Sequence, residues 1–221
     1  MKERPLLMCA EMVQATLREV NPKTQTRRIG KLQGPHHVGL GVAYLRHATN
    51  GLEAVATYDA FPGEGTARWA ICSCPYGVPG DRLWVRETFA APWGLDYKFP
   101  GGESGIFYRA DNRQDFPDDG TWTPSIFMPR KLSRITLEIV NVRVERLQDI
   151  SEADVIAEGV KTSIGSGMIE GEICYQFTTS SAYIRGKTGA VMAYQDLWES
   201  LNGPGSWLKN PWVWVLEFKK L

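Results

Sequence analysis

Residues 133–147, SRITLEIVNVRVERL, alternate apolar with polar side chains, the two-residue period of a strand that buries one face. Ile135, Leu137 and Ile139 share a side, and Val142 and Val144 share a face only after a one-residue offset. That offset predicts a bulge or bend near Val140–Asn141, a device that curves a strand around a barrel. A second long strand, Trp212–Lys219, sets Trp212, Trp214, Leu216 and Phe218 against Val213, Val215 and Glu217. Shorter extended segments are expected at Pro5–Cys9 and Lys23–Ile29, and at Arg82–Ala90 after the Pro79-Gly80-Asp81 turn signal.

The stretches between them are rich in glycine and proline. Gly30–Pro79 holds three candidate strands, Val42–Leu45, Ala54–Tyr58 and Ala67–Cys72, but too few large apolar residues for a core of its own. Ala91–Gly120 is a second excursion, interrupted by Ile106–Arg109. Three helices are expected. Glu11–Val20 is ended by Pro22, because proline disfavours helical geometry in the residue before it. Ser151–Gly159 carries an S-x-x-D cap at Ser151 and Asp154, a hydrophobic staple of Ile150 on Val155, and Gly159 to close it in the left-handed conformation. Ala190–Leu201 places Val191, Tyr194, Leu197, Trp198 and Leu201 on one stripe, and Gly203 and Pro204 stop it. Lys161–Lys187 reads as a loop. Strands with helices inserted among them indicate an α+β fold, and long excursions between short strands suit a small barrel. At 221 residues, with 43% hydrophobic and 23% charged residues, a single domain is expected.

No apolar run approaches the roughly 20 residues that cross a bilayer, and the N-terminus does not read as a signal peptide. A cytoplasmic protein with no membrane partner and no obligate protein partner is expected. Four cysteines suggest no disulfide framework. Cys72 and Cys74 form a C-x-C that leaves little room for a shared tetrahedral ion, so neither a metal nor a cofactor is expected. Formal net charge is zero, which weighs against a dedicated binder of duplex nucleic acid. Charge is local, however: Arg18, Lys23, Arg27, Arg28 and Lys31 face a single carboxylate, Glu19, in one stretch. By composition alone that patch is a solvated face; it also suits one phosphate or oxyanion.

Familiar catalytic signatures are absent: there is no G-x-S-x-G, H-E-x-x-H or phosphate-binding loop. What remains is K-T-Q-T-R-R at 23–28. A lysine desolvated near arginines has a lowered pKa and serves as base for a threonine hydroxyl, and a carboxylate passes the proton to a leaving amine. Glu158, at the last position of its helix, is a carboxylate at the electrostatically wrong end. It is either a plain surface glutamate or a functional one.

The segment K-T-Q-T-R-R, together with P-G-D-R-L-W-V-R-E-T (79–88), W-T-P-S-I-F-M-P-R (122–130), L-Q-D-I-S-E-A-D-V-I-A-E-G (147–159) and N-P-W-V-W-V-L-E-F-K (210–219), resembles the ASCH superfamily, and within it a group found in bacteriophages and prophages. The resemblance implies a PUA-like small mixed β-barrel with flanking helices, carrying inserts at about 30–79, 91–130 and 160–188. It includes a bacterial N4-acetylcytidine amidohydrolase, whose motif lysine falls on Lys23, its threonines on Thr24 and Thr26, its arginine on Arg28 and its glutamate on Glu158. The glycine usual two residues before the lysine is Asn21 here. The implied activity is hydrolysis of an acyl amide on a modified cytidine or similar nucleoside. Lys23, Thr26 and Glu158 would be catalytic; Thr24, Arg27, Arg28, Arg86, Glu87 and Arg130 would contact substrate, the alternative for Arg86, Glu87, Arg130 and Arg134 being that they pair with each other across strands. The alternatives are a PUA-like module that binds RNA or a modified base, with an aromatic such as Trp122 or Tyr108 stacked on the base, and a ribonuclease.

Overall fold

The computed structural model describes residues 1–31, 43–49, 51–58, 68–92, 94, 105–117, 120–164, 173–176, 184–185 and 189–221. The elements in chain order are β1 (Glu3–Leu7), α1 (Ala10–Leu17), β2 (Gln25–Ile29), β3 (Ala43–Ala48), β4 (Gly51–Tyr58), β5 (Arg68–Ser73), β6 (Arg82–Arg86), β7 (Phe89–Ala90), β8 (Phe107–Tyr108), β9 (Thr136–Arg146), α2 (Glu152–Ala157), β10 (Lys161–Ile164), β11 (Ile173–Gln176), β12 (Ile184–Arg185), α3 (Gly189–Asn202) and β13 (Trp212–Lys220). This is an α+β chain with a sheet-rich body.

The body is a five-stranded sheet of order β1-β6-β9-β13-β2. Only β1 and β6 run parallel. Its two faces follow from the alternation along β13. Trp212, Trp214, Leu216 and Phe218 join Leu6, Val13, Leu83, Leu137 and Ile139 in one cluster. Val213 and Val215 join Leu147, Val155, Tyr194, Leu197 and Trp198 in the other. The sheet is therefore covered by α1 and β4 on one side and by α2 and α3 on the other. The expected bulge is at Val140: Glu217 pairs with Asn141 and Phe218 with Ile139, so Val140 is skipped. Val140 is 53% exposed, and the skip lets Ile139 and Val142 bury on the same side. Among the described residues β1 and β2 are the free edges of this ladder. A side chain links them, since the Arg28 guanidinium donates to the Leu7 carbonyl.

The described parts of the 30–79 excursion form a separate antiparallel sheet, β3-β4-β5, that lends Leu52 and Ala54 to the main core. The described parts of 161–187 are not loop. They pair as β10-β11-β12, with Tyr175 buried and its hydroxyl donating to Glu152. Gly, Ser and Thr dominate the composition of that stretch, which hid the strand-forming Ile173, Tyr175 and Ile184. The first helix also ends earlier than expected, at Leu17. Arg18 is already extended, and Asn21 takes a φ of +49°, the left-handed region that asparagine enters at less cost than most residues.

Gly159 leaves α2 with a φ of +97°, and a Cβ there would stand 2.8 Å from the Ala15 Cβ and 3.1 Å from the Lys23 Cβ. Its missing side chain is what lets α1, α2 and the segment before β2 meet. Gly159→Ala is expected to cost about 2–4 kcal/mol from backbone strain and overpacking. Thermal unfolding followed by circular dichroism should show a melting temperature roughly 5–15 °C lower.

Candidate functional site

The Lys23–Thr24 segment is stitched between two helices by its backbone. The Lys23 N–H donates to Ala15 O of α1 at 2.9 Å, and the Thr24 N–H donates to Ala157 O of α2 at 2.9 Å. This fixes the Lys23 side chain under the C-terminus of α2. Its ammonium donates to Glu158 Oε2 at 2.6 Å and to the Glu158 backbone carbonyl at 2.8 Å. Glu158 caps α2, where carbonyls lack intrahelical donors and the helix dipole is negative. A lysine that meets both carbonyl and carboxylate resolves the misfit of an acid at that end. Both residues are only 2% exposed.

Burial holds the Lys23 ammonium below its ordinary pKa, with the Glu158 charge pulling the other way. Arg27, next along β2 on the helix side, donates to Glu158 Oε1 at 3.4 Å, to Glu145, and lies 3.2 Å from Asp154 Oδ2. Its guanidinium carbon sits 5.9 Å from the Tyr194 ring centroid. Burial disfavours its charge, but Glu158, Tyr194 and Glu145 outweigh that and raise its pKa. Arg143 extends the network, reaching Glu145 at 3.0 Å, Asp154 at 2.5 Å, and Glu217. Burial pushes the Asp154 carboxyl up, yet the Ser151 hydrogen bonds and the charges of Arg27 and Arg143 bring it down to about 2.

Glu158 and Arg27 open onto a cleft of about 470 Å³. Its walls come from the end of β1 (Leu7, Met8, Cys9), from Met12 of α1, from Arg28 and Ile29 of β2, and from Tyr194, Leu197, Trp198, Leu201 and Asn202 of α3. Tyr76, Thr88 and Ser125 complete it. The cleft is thus mostly apolar and aromatic, with one carboxylate and two guanidiniums. Burial pushes the Cys9 thiol up, which leaves it a poor nucleophile.

The residues singled out in the sequence divide into three groups. Lys23, Glu158 and Arg27 meet directly, and Arg28 lines the same cleft. Thr26 is 1% exposed, with a hydroxyl that has no hydrogen-bond partner, and it is not among the cleft residues; Thr24 is exposed. The remaining three lie elsewhere. Arg86 stacks 4.8 Å from the Trp84 ring centroid. Glu87 is buried against Arg134, whose Nε and Nη2 donate to its two oxygens at 2.9 Å each. Arg130 is on the surface, donating to Glu3 at 3.0 Å. Tyr108 is covered by the Arg134 guanidinium at 4.1 Å, and Trp122 stacks on Phe116 at 4.2 Å.

Several site residues escaped the sequence. Tyr194 and Trp198 belong to the apolar stripe of 190–201, and each is core and cleft wall at once. Glu145 becomes a partner of Arg27 only through strand pairing, in which Arg27 and Arg143 flank Val215 and Glu145 lies opposite Val213, and Asp154 reaches Arg27 from α2. Comparison with protein-family models, curated proteins and solved structures found no match to this chain.

Two stability tests follow from this geometry. Lys23→Met leaves the Glu158 carboxylate buried without its closest partner and is expected to cost about 3–5 kcal/mol in chemical denaturation. The double variant Lys23→Met/Glu158→Leu removes both charges and should recover much of that loss. For Asp154, a folded pKa of about 2 lies below its ordinary 3.8. Its contribution is therefore present above the ordinary value and lost as pH falls through about 2. Between these pH values the melting temperature of the wild type should fall more steeply than that of Asp154→Asn.

Proposed function

We propose that the protein is an amidohydrolase of the ASCH type, built on a PUA-like barrel, which removes the acyl group from the N4 amine of a modified cytidine or a similar nucleoside. The observation that carries this is the Glu158 carboxylate at the floor of an aromatic-walled cleft, held from behind by the buried Lys23 ammonium. The long sequence resemblance, which includes Lys23 and Glu158, supports it independently. The aromatic side chains Tyr76, Tyr194 and Trp198 suit a planar base.

In this reading Glu158 is the catalytic residue. It takes a proton from a water as the water oxygen bonds to the acyl carbon. The tetrahedral intermediate collapses, the C–N4 bond breaks, and Glu158 returns the proton to the leaving amine. The products are the free nucleoside and a carboxylic acid. Lys23 is a positioning residue that fixes both the carboxylate and the carbonyl of Glu158. Water takes the attacking role in this scheme, because Thr26 does not line the cleft.

The test is chromatographic turnover of N4-acetylcytidine and of longer N4-acylcytidines. Wild type should release cytidine. Glu158→Gln, checked for folding by circular dichroism, should lose at least about a hundredfold in kcat, in line with the loss of a general acid–base, while Thr26→Val keeps most of it. Absence of turnover of every acylcytidine by folded protein sinks the proposal. Binding without turnover would point to a module that reads a modified base, and cleavage of RNA to a nuclease.

A further inference from the structure

Two cations line the cleft, and they are in opposite situations. Arg27 is surrounded by Glu158, Glu145 and Asp154. Arg28 has no carboxylate among the described residues. Its guanidinium donates to the neutral Leu7 carbonyl, and its Nε is buried with no partner among the described residues. Glu158 does not supply the missing charge; it is paired with Lys23 and Arg27. A guanidinium in a cleft wall with an unsatisfied N–H and no counter-charge is a receptor for an anion brought by the ligand.

The neighbours add to this. Three residues that carry hydroxyls, Thr88, Ser125 and Tyr76, line the same cleft. The Arg28 charge acts on Tyr76, opposing the rise that burial imposes on its phenol. An arginine with hydroxyl-bearing residues on the same cleft matches an anion with several acceptor oxygens, which is a phosphate monoester rather than a single halide-like charge.

We propose that the cleft takes its nucleoside as a monophosphate, with Arg28 receiving the phosphate while the base lies toward Glu158. This rests on the amidohydrolase reading above and names its substrate more closely. A polymer is disfavoured by the charges around the cleft. Tracking a chain of phosphates needs a row of free cations, whereas Arg27, Arg130 and Arg134 are each bound to carboxylates and formal net charge is zero.

The experiment is calorimetric binding, which does not depend on turnover. Cytidine, cytidine 5′-monophosphate, cytidine 3′-monophosphate and a 12-residue cytidine oligonucleotide lacking terminal phosphates are titrated into the full chain and into Arg28→Gln and Arg28→Lys. One of the monophosphates should bind wild type at least about tenfold more tightly than cytidine, as one charge-assisted hydrogen-bonded contact allows. Arg28→Gln should erase that preference; Arg28→Lys should keep part of it. Equal affinity for cytidine and both monophosphates overturns the proposal, as does a preference that survives Arg28→Gln. Tighter binding of the oligonucleotide than of either monophosphate also overturns it, in favour of polymer recognition. Turnover of N4-acetylcytidine with no phosphate preference would leave the amidohydrolase reading standing alone. A phosphate preference without turnover of N4-acetylcytidine or its monophosphate would do the reverse.

Discussion

A lysine and a glutamate, both almost fully removed from water, face each other at 2.6 Å at the join of two helices and a strand. Charges in such a place cannot be tolerated singly; each is stable only while the other is held in register. The local structure is arranged to hold them. Asn21 bends the chain through a left-handed turn, backbone hydrogen bonds tie residues 23 and 24 to α1 and α2, and Gly159 removes the Cβ that would keep those parts apart. The Ser151–Asp154 capping box fixes the other end of α2, and the same Asp154 meets Arg27. The pair is therefore a tertiary constraint more than a local one, since its members are 135 residues apart in sequence.

The sheet supplies the rigidity on which that constraint relies. β13 pairs on both sides, and its two faces carry different side chains: tryptophans, leucine and phenylalanine toward one core, valines toward the other. Valines at 213 and 215 are small enough for α2 and α3 to approach the sheet, which brings Tyr194 within cation–π range of Arg27. Large residues on both faces would have pushed the helices away from the guanidinium. Packing of the core and geometry of the cleft are in this sense one problem.

Much of this was legible in the chain. The alternation of 133–147 and 212–219 indicated the central strands, and its one-residue slip located the bulge at Val140. The S-x-x-D cap and the glycine after it bounded α2, and the odd placement of Glu158 singled it out. What stayed hidden depends on pairing across the sheet. Nothing local in Glu145 announces that it meets an arginine of β2. Glu87 and Arg130 meet partners distant in sequence, Arg134 and Glu3, while Arg86 lies over Trp84 of its own strand, and none of the three lines the cleft. The short strands in 161–187 were masked by composition, because small polar residues lower the strand signal even where an isoleucine or tyrosine anchors it.

The side-chain latch between β1 and β2 has a consequence for how the molecule meets its own kind. Open sheet edges template pairing with further chains, and proteins blunt them with prolines, cations or covering side chains. β1 carries Pro5, which has no N–H to offer, and the Arg28 guanidinium occupies the Leu7 carbonyl that a foreign strand would use. The arginine that equips the cleft thus also guards a seam, and a ligand that drew it away from Leu7 would expose a strip of backbone acceptors. Solubility and recognition are joined at one side chain.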